Sequence, residues 1–432
     1  MVRHPHAKTN LEREPRHRNR SVWAHALVLF NVIGIPLSHG VYLEYYFTTA
    51  LPDKPLSSLA VIIGLQILCI FVMPLPIGCL YQSLGRREWW KAVFALAALV
   101  AVAAQVALYR NKTYMLIVLL QGPLLGAALG TLFTISTLVL ASHYQYNIPL
   151  VSTQSGFAAF AGAVVHTALA RFALQQYAAF SQVFNGALIA LTLLPAFFLL
   201  TRLKLDTLKP WTLRYQLNLK LPSHFMADLR SKGTIWFIIG YILVFFSIFI
   251  YPMYIITLLT QPPALMAPEM GTYTLLATLG TAAFSSAICG NSAVMKRVGP
   301  VNTFVASAIF AGAVTLSPIL YPRIYVSVPL AAAYGVALGP ILSLHQLVAA
   351  IFLGQKEEGG KWRDDVPARV AIVMAMGGIG AFSGIVVLAA VAEGSAKGVD
   401  LVVRLAGACA VSGGGGVGMV RWFRWEGVGF AV

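Results

Sequence analysis

What most limits this chain is a succession of apolar runs, each long enough to cross a bilayer. A hydrocarbon core of about 30 Å takes about 20 apolar residues at about 1.5 Å rise each. Twelve segments meet that length, at 23–47, 57–80, 90–109, 114–139, 150–172, 180–201, 233–258, 272–295, 301–321, 325–352, 367–391 and 401–420. Only 11% of the residues are charged, where a soluble domain carries about a quarter. In hydrocarbon, backbone groups must pair within their own segment, so runs of this length are helices. The expected fold class is an all-α membrane protein with twelve transmembrane helices.

Charge sets the orientation. The net charge of +16 would fit nucleic acid only if basic residues shared one face with aromatic residues among them. They lie instead in the gaps between apolar runs, which excludes nucleic acid as a partner. With the N-terminus inside, the outer side holds only Lys54, Arg110, Lys112, Arg171, Arg323, Lys397 and Arg404 of the 31 Lys and Arg residues. This excess of inner basic residues places both termini in the cytosol. Plasma membrane and organelle membrane fit equally.

The start is too polar, and the first apolar run too long, for a cleaved signal peptide. Residues 1–22 read as a disordered basic cytosolic tail, with Arg3, Lys8, Arg13, Arg16, Arg18 and Arg20. Membrane lipid is its natural partner, at about 1 kcal/mol per basic residue near an anionic surface. The longest internal polar stretch, 202–232, divides the rest into a six-helix half at 23–201 and another at 233–432. Two equivalent halves around a midplane site are a recurrent plan of secondary transporters. A monomer suffices for that plan.

Cys69, Cys79, Cys289 and Cys409 have no metal-ligand spacing. No cofactor motif and no catalytic constellation is visible, so no metal, no cofactor and no enzyme activity are expected. Ser412 to Gly418 holds five glycines. At about 1 kcal/mol per glycine against alanine, it is expected to interrupt the twelfth segment.

Ionisable groups inside a membrane are costly and become functional candidates. Glu44 ends the first segment; it can bind a proton or a cationic group, or pair with Lys54 or Arg171. In the fifth segment Ser155, Ala159, Gly162 and His166 share one helical face, and His166 is either a proton relay or a neutral hydrogen-bonded histidine. His345 lies near the cytosolic end of the tenth segment, on the face of Tyr334. In the eighth segment Thr274, Thr278, Thr281 and Ser285 form a hydroxyl stripe that lines a path or bonds to its own helix. Asn31, Ser38 and Tyr45 recur at heptad spacing around a kink at Pro36. Tyr241, with Tyr251 and Tyr254, completes a neutral, aromatic cavity. Gly122, Gly126 and Gly130 form a close-packing face.

One loop carries a family resemblance. Gly78-Cys79-Leu80-Tyr81-Gln82-Ser83-Leu84-Gly85-Arg86-Arg87 resembles the G-x-L-x-D-R-x-G-R-R signature between helices 2 and 3 of the major facilitator superfamily. Lys296-Arg297-Val298-Gly299-Pro300-Val301-Asn302 is its echo, similar to the D-R-x-G-P-x-N of the monocarboxylate-porter branch. Gly40 to Tyr46, Tyr334 to Pro340, and Gly377, Gly378, Gly380 and Gly384 are similar to fungal members of that branch. The resemblance implies the major facilitator fold of two six-helix pseudo-repeats. It also implies a gating loop of Gly78, Gln82, Gly85, Arg86 and Arg87, in which Gly85, Arg86 and Arg87 hold the cytosolic ends of the first half against the second. The family's Asp is Gln82 here, its equivalent in the second half is Lys296, and the eighth segment is uncharged. A weaker latch follows.

The expected function is secondary transport of a small organic solute, a monocarboxylate or a weakly charged metabolite, by alternating access, with protons as the candidate coupling ion. The missing motif charges motivate the alternative, a non-transporting relative that acts as a membrane sensor.

Overall fold

A computed structural model describes residues 15–78, 80, 89–109, 113–143, 155–202, 233–260, 266–317, 324–353, 366–394 and 398–424. These residues are mostly helical and contain no strand. In chain order the helices are α1 (Pro15–Val32), α2 (Gly34–Tyr45), α3 (Leu56–Val72), α4 (Trp89–Val106), α5 (Tyr114–Leu119), α6 (Leu125–His143), α7 (Gly156–Tyr177), α8 (Ser181–Thr201), α9 (Thr234–Ile248), α10 (Ile250–Thr260), α11 (Pro268–Cys289), α12 (Ser292–Val298), α13 (Pro300–Leu316), α14 (Ile324–Leu353), α15 (Val366–Gly394) and α16 (Gly398–Arg424). Among the described residues, ten stretches are long and apolar enough to cross a membrane. One of them, Gly156–Thr201, has 46 residues, about twice what a bilayer needs. It turns at Tyr177, whose φ of −144° and ψ of 53° leave the helical region, so α7 and α8 run back along each other. Pro300–Leu316 is a shorter apolar helix. Large side chains such as Leu96, Leu191, Phe284 and Phe423 are exposed on the outside of the bundle, as lipid-facing positions require.

The first helix starts at Pro15, inside the stretch expected to be tail. Proline suits a first helical turn, where its missing N–H costs nothing. The stretch 203–232 lies outside the described residues.

Two spans bend by the same device. The first breaks at Ile33 and the seventh at Phe249, each three residues before a proline, Pro36 and Pro252. A proline has no N–H to give the carbonyl four residues earlier, and its ring pushes against it. At the second break the freed Ile248 carbonyl accepts from the Tyr334 hydroxyl at 2.8 Å. The break is thereby fixed to α14.

Helix crossings rest on glycines that meet bare backbone. A Cβ on Gly162 would fall inside contact distance of the Phe30 carbonyl, with Phe30 Cα at 2.8 Å. A Cβ on Gly384 would meet Phe246 in the same way, with its Cα at 2.9 Å. Each contact thus lies three residues before a break. Gly126 and Gly130 bring α6 onto Gln66 and Ile70 of α3, and Gly335 and Gly339 bring α14 onto Thr278 and Ala282 of α11.

The glycine run near the C-terminus does not interrupt its helix, contrary to expectation: α16 continues from Gly398 to Arg424. The propensity cost was measured in water, where unfolded backbone bonds to solvent; in hydrocarbon the helix has no such competitor. A Cβ on Gly413 would also stand 2.7 Å from the Gly240 carbonyl oxygen, so a small residue is required for α16 to pack on α9.

The order of packing positions the site. The helices of residues 15–202 pack among themselves, α1 against α6, α7 and α8. Those of 233–424 do likewise, α9 against α15 and α16. Between the two groups, α3 lies along α15, α7 along α11, and α2 along α10.

Candidate functional site

Two polar clasps join the groups at one end of the bundle, where α2 and α7 finish and α3 and α11 begin. In the first, Arg171 at the end of α7 donates from Nη2 to Glu269 Oε1 of α11 at 2.7 Å. Its Nη1 lies 3.6 Å from Glu44 Oε2 at the end of α2. Gln175 Nε2 donates to the same Glu269 oxygen at 2.9 Å. Of the two partners offered to Glu44 by the sequence, Arg171 is the one in place; Lys54 stands over the Tyr114 ring at 5.5 Å. In the second clasp, Glu393 of α15 accepts from the Leu56 and Ser57 amides and from the Ser57 hydroxyl, the last at 2.8 Å. A carboxylate on the open amides of a helix start satisfies donors that have no partner within the helix. Glu269, Glu393 and Gln175 were not read from the sequence. The only signal was that each is polar at the edge of an apolar run.

A cavity of ≈ 40 Å³ lies between the two groups of helices. Leu29, Val32 and Ile33 of the first span, Phe71 of α3, Gly156 and Phe160 of α7, Ser343, His345 and Gln346 of α14, and Met374 of α15 line it. That volume holds two or three waters. Of the candidates read from the sequence, His345 reaches this cavity.

Asn31 and His166 meet elsewhere, inside the first group. Asn31 Nδ2 donates to the Leu27 carbonyl at 3.0 Å and to Thr192 Oγ1 at 2.8 Å. A carbonyl only accepts, so this fixes the amide, and Asn31 Oδ1 faces His166 Nε2 at 3.3 Å. His166 Nδ1 lies 2.6 Å from Asn185 Oδ1. With Asn31 Oδ1 on the other ring nitrogen, a neutral ring cannot also serve the Asn185 oxygen in this orientation. With the Asn185 amide turned over, the ring is neutral and Nε2 carries the proton. Asn185 and Thr192 are polar, one helical heptad apart on α8, a signal the sequence reading passed over. Asn31→Leu should lower stability by about 1–3 kcal/mol, because it strands a buried ring N–H. A melting curve of the purified variant measures this, and an unchanged midpoint would contradict the network.

The remaining candidates are tied to their own surroundings. Ser38 donates to the Ile35 carbonyl at 2.8 Å, and Thr278 to that of Thr274 at 3.1 Å. Thr281 donates to Ala332 of α14 at 2.8 Å, so it also braces two helices. Ser285 donates to Ala282 at 3.2 Å. Tyr45 is half-buried beside Tyr46. Tyr241 is fully buried, stacked on Phe245 at 4.6 Å and facing Phe304. Tyr334 stacks on Tyr251 at 4.5 Å. Gly78 closes the span Leu56–Gly78; Gln82, Gly85, Arg86 and Arg87 lie outside the described residues. The echo loop is described. Lys296 and Arg297 occupy the last turn of α12, where cations suit the helix dipole. Gly299 takes φ +82°, a conformation that glycine tolerates, and Pro300 starts α13.

A helical bundle with an apolar surface, small-residue crossings and two groups of helices joined by polar clasps at one end is a multi-pass membrane protein. Comparison with known proteins agrees. The chain is 29% identical over 140 residues to the MFS-type transporter eupM of Phoma sp, which is 32% of this chain and 48% of that relative. The match thus spans about half the length of that protein. Among solved structures the fold is similar to that of the nucleoside transporter NupG, with a TM-score of 0.66 and 16% identity over 94% of this chain and 100% of that one. A point mutant of NupG aligns with a TM-score of 0.62 and 15% identity over 94% and 98%. No protein-family profile matches the chain. The resemblance to major facilitator transporters stated from the loop motif is borne out, and the proteins it resembles are transporters rather than enzymes.

Proposed function

We propose that the chain is a secondary active transporter that moves a small organic solute by alternating access between two six-helix halves, 23–201 and 233–432. The paired contacts carry this reading. Segments two and eleven meet as α3 and α15, five and eight as α7 and α11. A rotation that sends each segment to the one six later exchanges these two contacts. The breaks before Pro36 and Pro252, and the glycines on Phe30 and Phe246, are exchanged in the same way. With twelve alternating traverses, the exposed Trp23, Trp89, Trp236 and Trp422 all fall at one interface, as an aromatic belt does. The clasps then lie on the outer side, and the cavity opens when the halves rock apart.

The solute is a weakly charged metabolite or a monocarboxylate, since no Asp, Glu, Lys or Arg is among the described residues that line the cavity. NupG carries nucleosides by its name, which adds that class to the panel. Gln82 and Lys296, standing where the motif has acids, favour the sensor as the second reading. Uptake of a metabolite panel into proteoliposomes, with and without a pH gradient, decides between them. Saturable uptake above protein-free vesicles is expected. Signalling without flux of any solute would overturn transport.

A further inference from the structure

His345 carries a feature that the transport reading leaves unused. Its Nδ1 lies 2.7 Å from the Leu342 carbonyl oxygen. That oxygen accepts only, so Nδ1 holds the proton and donates. The neutral ring then offers Nε2 as an acceptor. The residue is 5% exposed, and among the described residues nothing donates to Nε2. The ring is flanked from both halves, by Phe71 at 5.8 Å and Phe245 at 5.6 Å. Of the other polar residues lining the cavity, Ser343 already donates to Ser286 at 3.0 Å.

Buried acceptors in native proteins nearly always have a donor. No described residue lining the cavity is charged, so a formally charged group would enter it at a large desolvation cost. An uncharged solute that brings a donor meets both conditions.

We propose that His345 is a specificity-determining residue of the inter-half cavity, selecting uncharged solutes that present a hydrogen-bond donor to Nε2 between two phenyl rings. The donor is a hydroxyl, an amide N–H or a protonated carboxyl group. The inference rests on the proposed transport function and names the chemistry of its solute. The cavity must widen to admit such a molecule, which parting of the halves provides.

Purified protein in nanodiscs tests this with three probes: 2-phenylethanol, its methyl ether, and benzoate at neutral pH. The alcohol should raise the apparent melting temperature at a concentration about tenfold below that needed for the ether or the benzoate. His345→Phe should erase the preference, and His345→Gln, which keeps an acceptor at the same reach, should retain it. If His345→Phe fails to fold, His345→Asn keeps a donor toward Leu342, loses the distal acceptor and should also erase it. Equal action of alcohol and ether on the wild type would overturn the proposal. So would an unchanged preference in His345→Phe or His345→Asn. A donor preference without flux in proteoliposomes would uphold the subsite and remove transport. Flux without donor preference would do the reverse.

Discussion

Gly162→Leu and Gly384→Leu should each fail to give monodisperse, folded protein, whereas Gly280→Leu and Gly415→Leu should behave as the wild type. At the first two positions the added side chain runs into the main chain of Phe30 or Phe246. Backbone cannot turn aside as a flexible side chain does, so the helices must separate. Overpacking a tight core costs about 1–3 kcal/mol, and these sites belong at the upper end. Gly280 and Gly415 are exposed, with nothing within 4 Å of a new Cβ, and losing glycine there gains about 1 kcal/mol of helix propensity. Size-exclusion profiles and melting curves of the four variants check the ranking. A folded Gly384→Leu would mean that α9 and α15 do not cross as described.

Arg171→Gln should open the clasped end far more than Glu269→Gln, although both remove the shorter ion pair. The Glu269 side chain is 44% exposed, and such a pair contributes up to about 1 kcal/mol, or about fivefold in the closed-to-open ratio. The Glu44 side chain is only 8% exposed. Without Arg171 its charge is left buried with no ion partner, only the Thr48 hydroxyl at 3.3 Å, at about 3–5 kcal/mol, more than a hundredfold. The double variant Arg171→Gln, Glu44→Gln removes the stranded charge and should recover much of the closed population. Labelling of single cysteines placed in the cavity, by a reagent added at the clasped end, measures that population. Equal labelling of the two single variants would contradict the arrangement.

The helices were legible because hydrocarbon leaves the backbone one solution. The small-residue face of Gly162 with His166 was legible too, since helical spacing shows which residues share a side. What that side faces was not. His166 turns inward to Asn31 and Asn185, because partners on other helices decide between cavity and core. The clasps escaped for the same reason. Arg171 and Glu269 are far apart in the chain, and each alone looks like a residue at a membrane interface. The C-terminal glycines misled because a scale measured in water was applied to lipid.

The central claim is that transport requires the clasped end to open. Cysteines at Ser57 and Glu393, in a background without the four native thiols, can be joined across the halves by a short bifunctional reagent. Flux into proteoliposomes is then measured before cross-linking, after it, and after the bridge is cleaved. Alternating access predicts flux that stops with the bridge and returns on cleavage. Flux that continues through the bridged protein would contradict it.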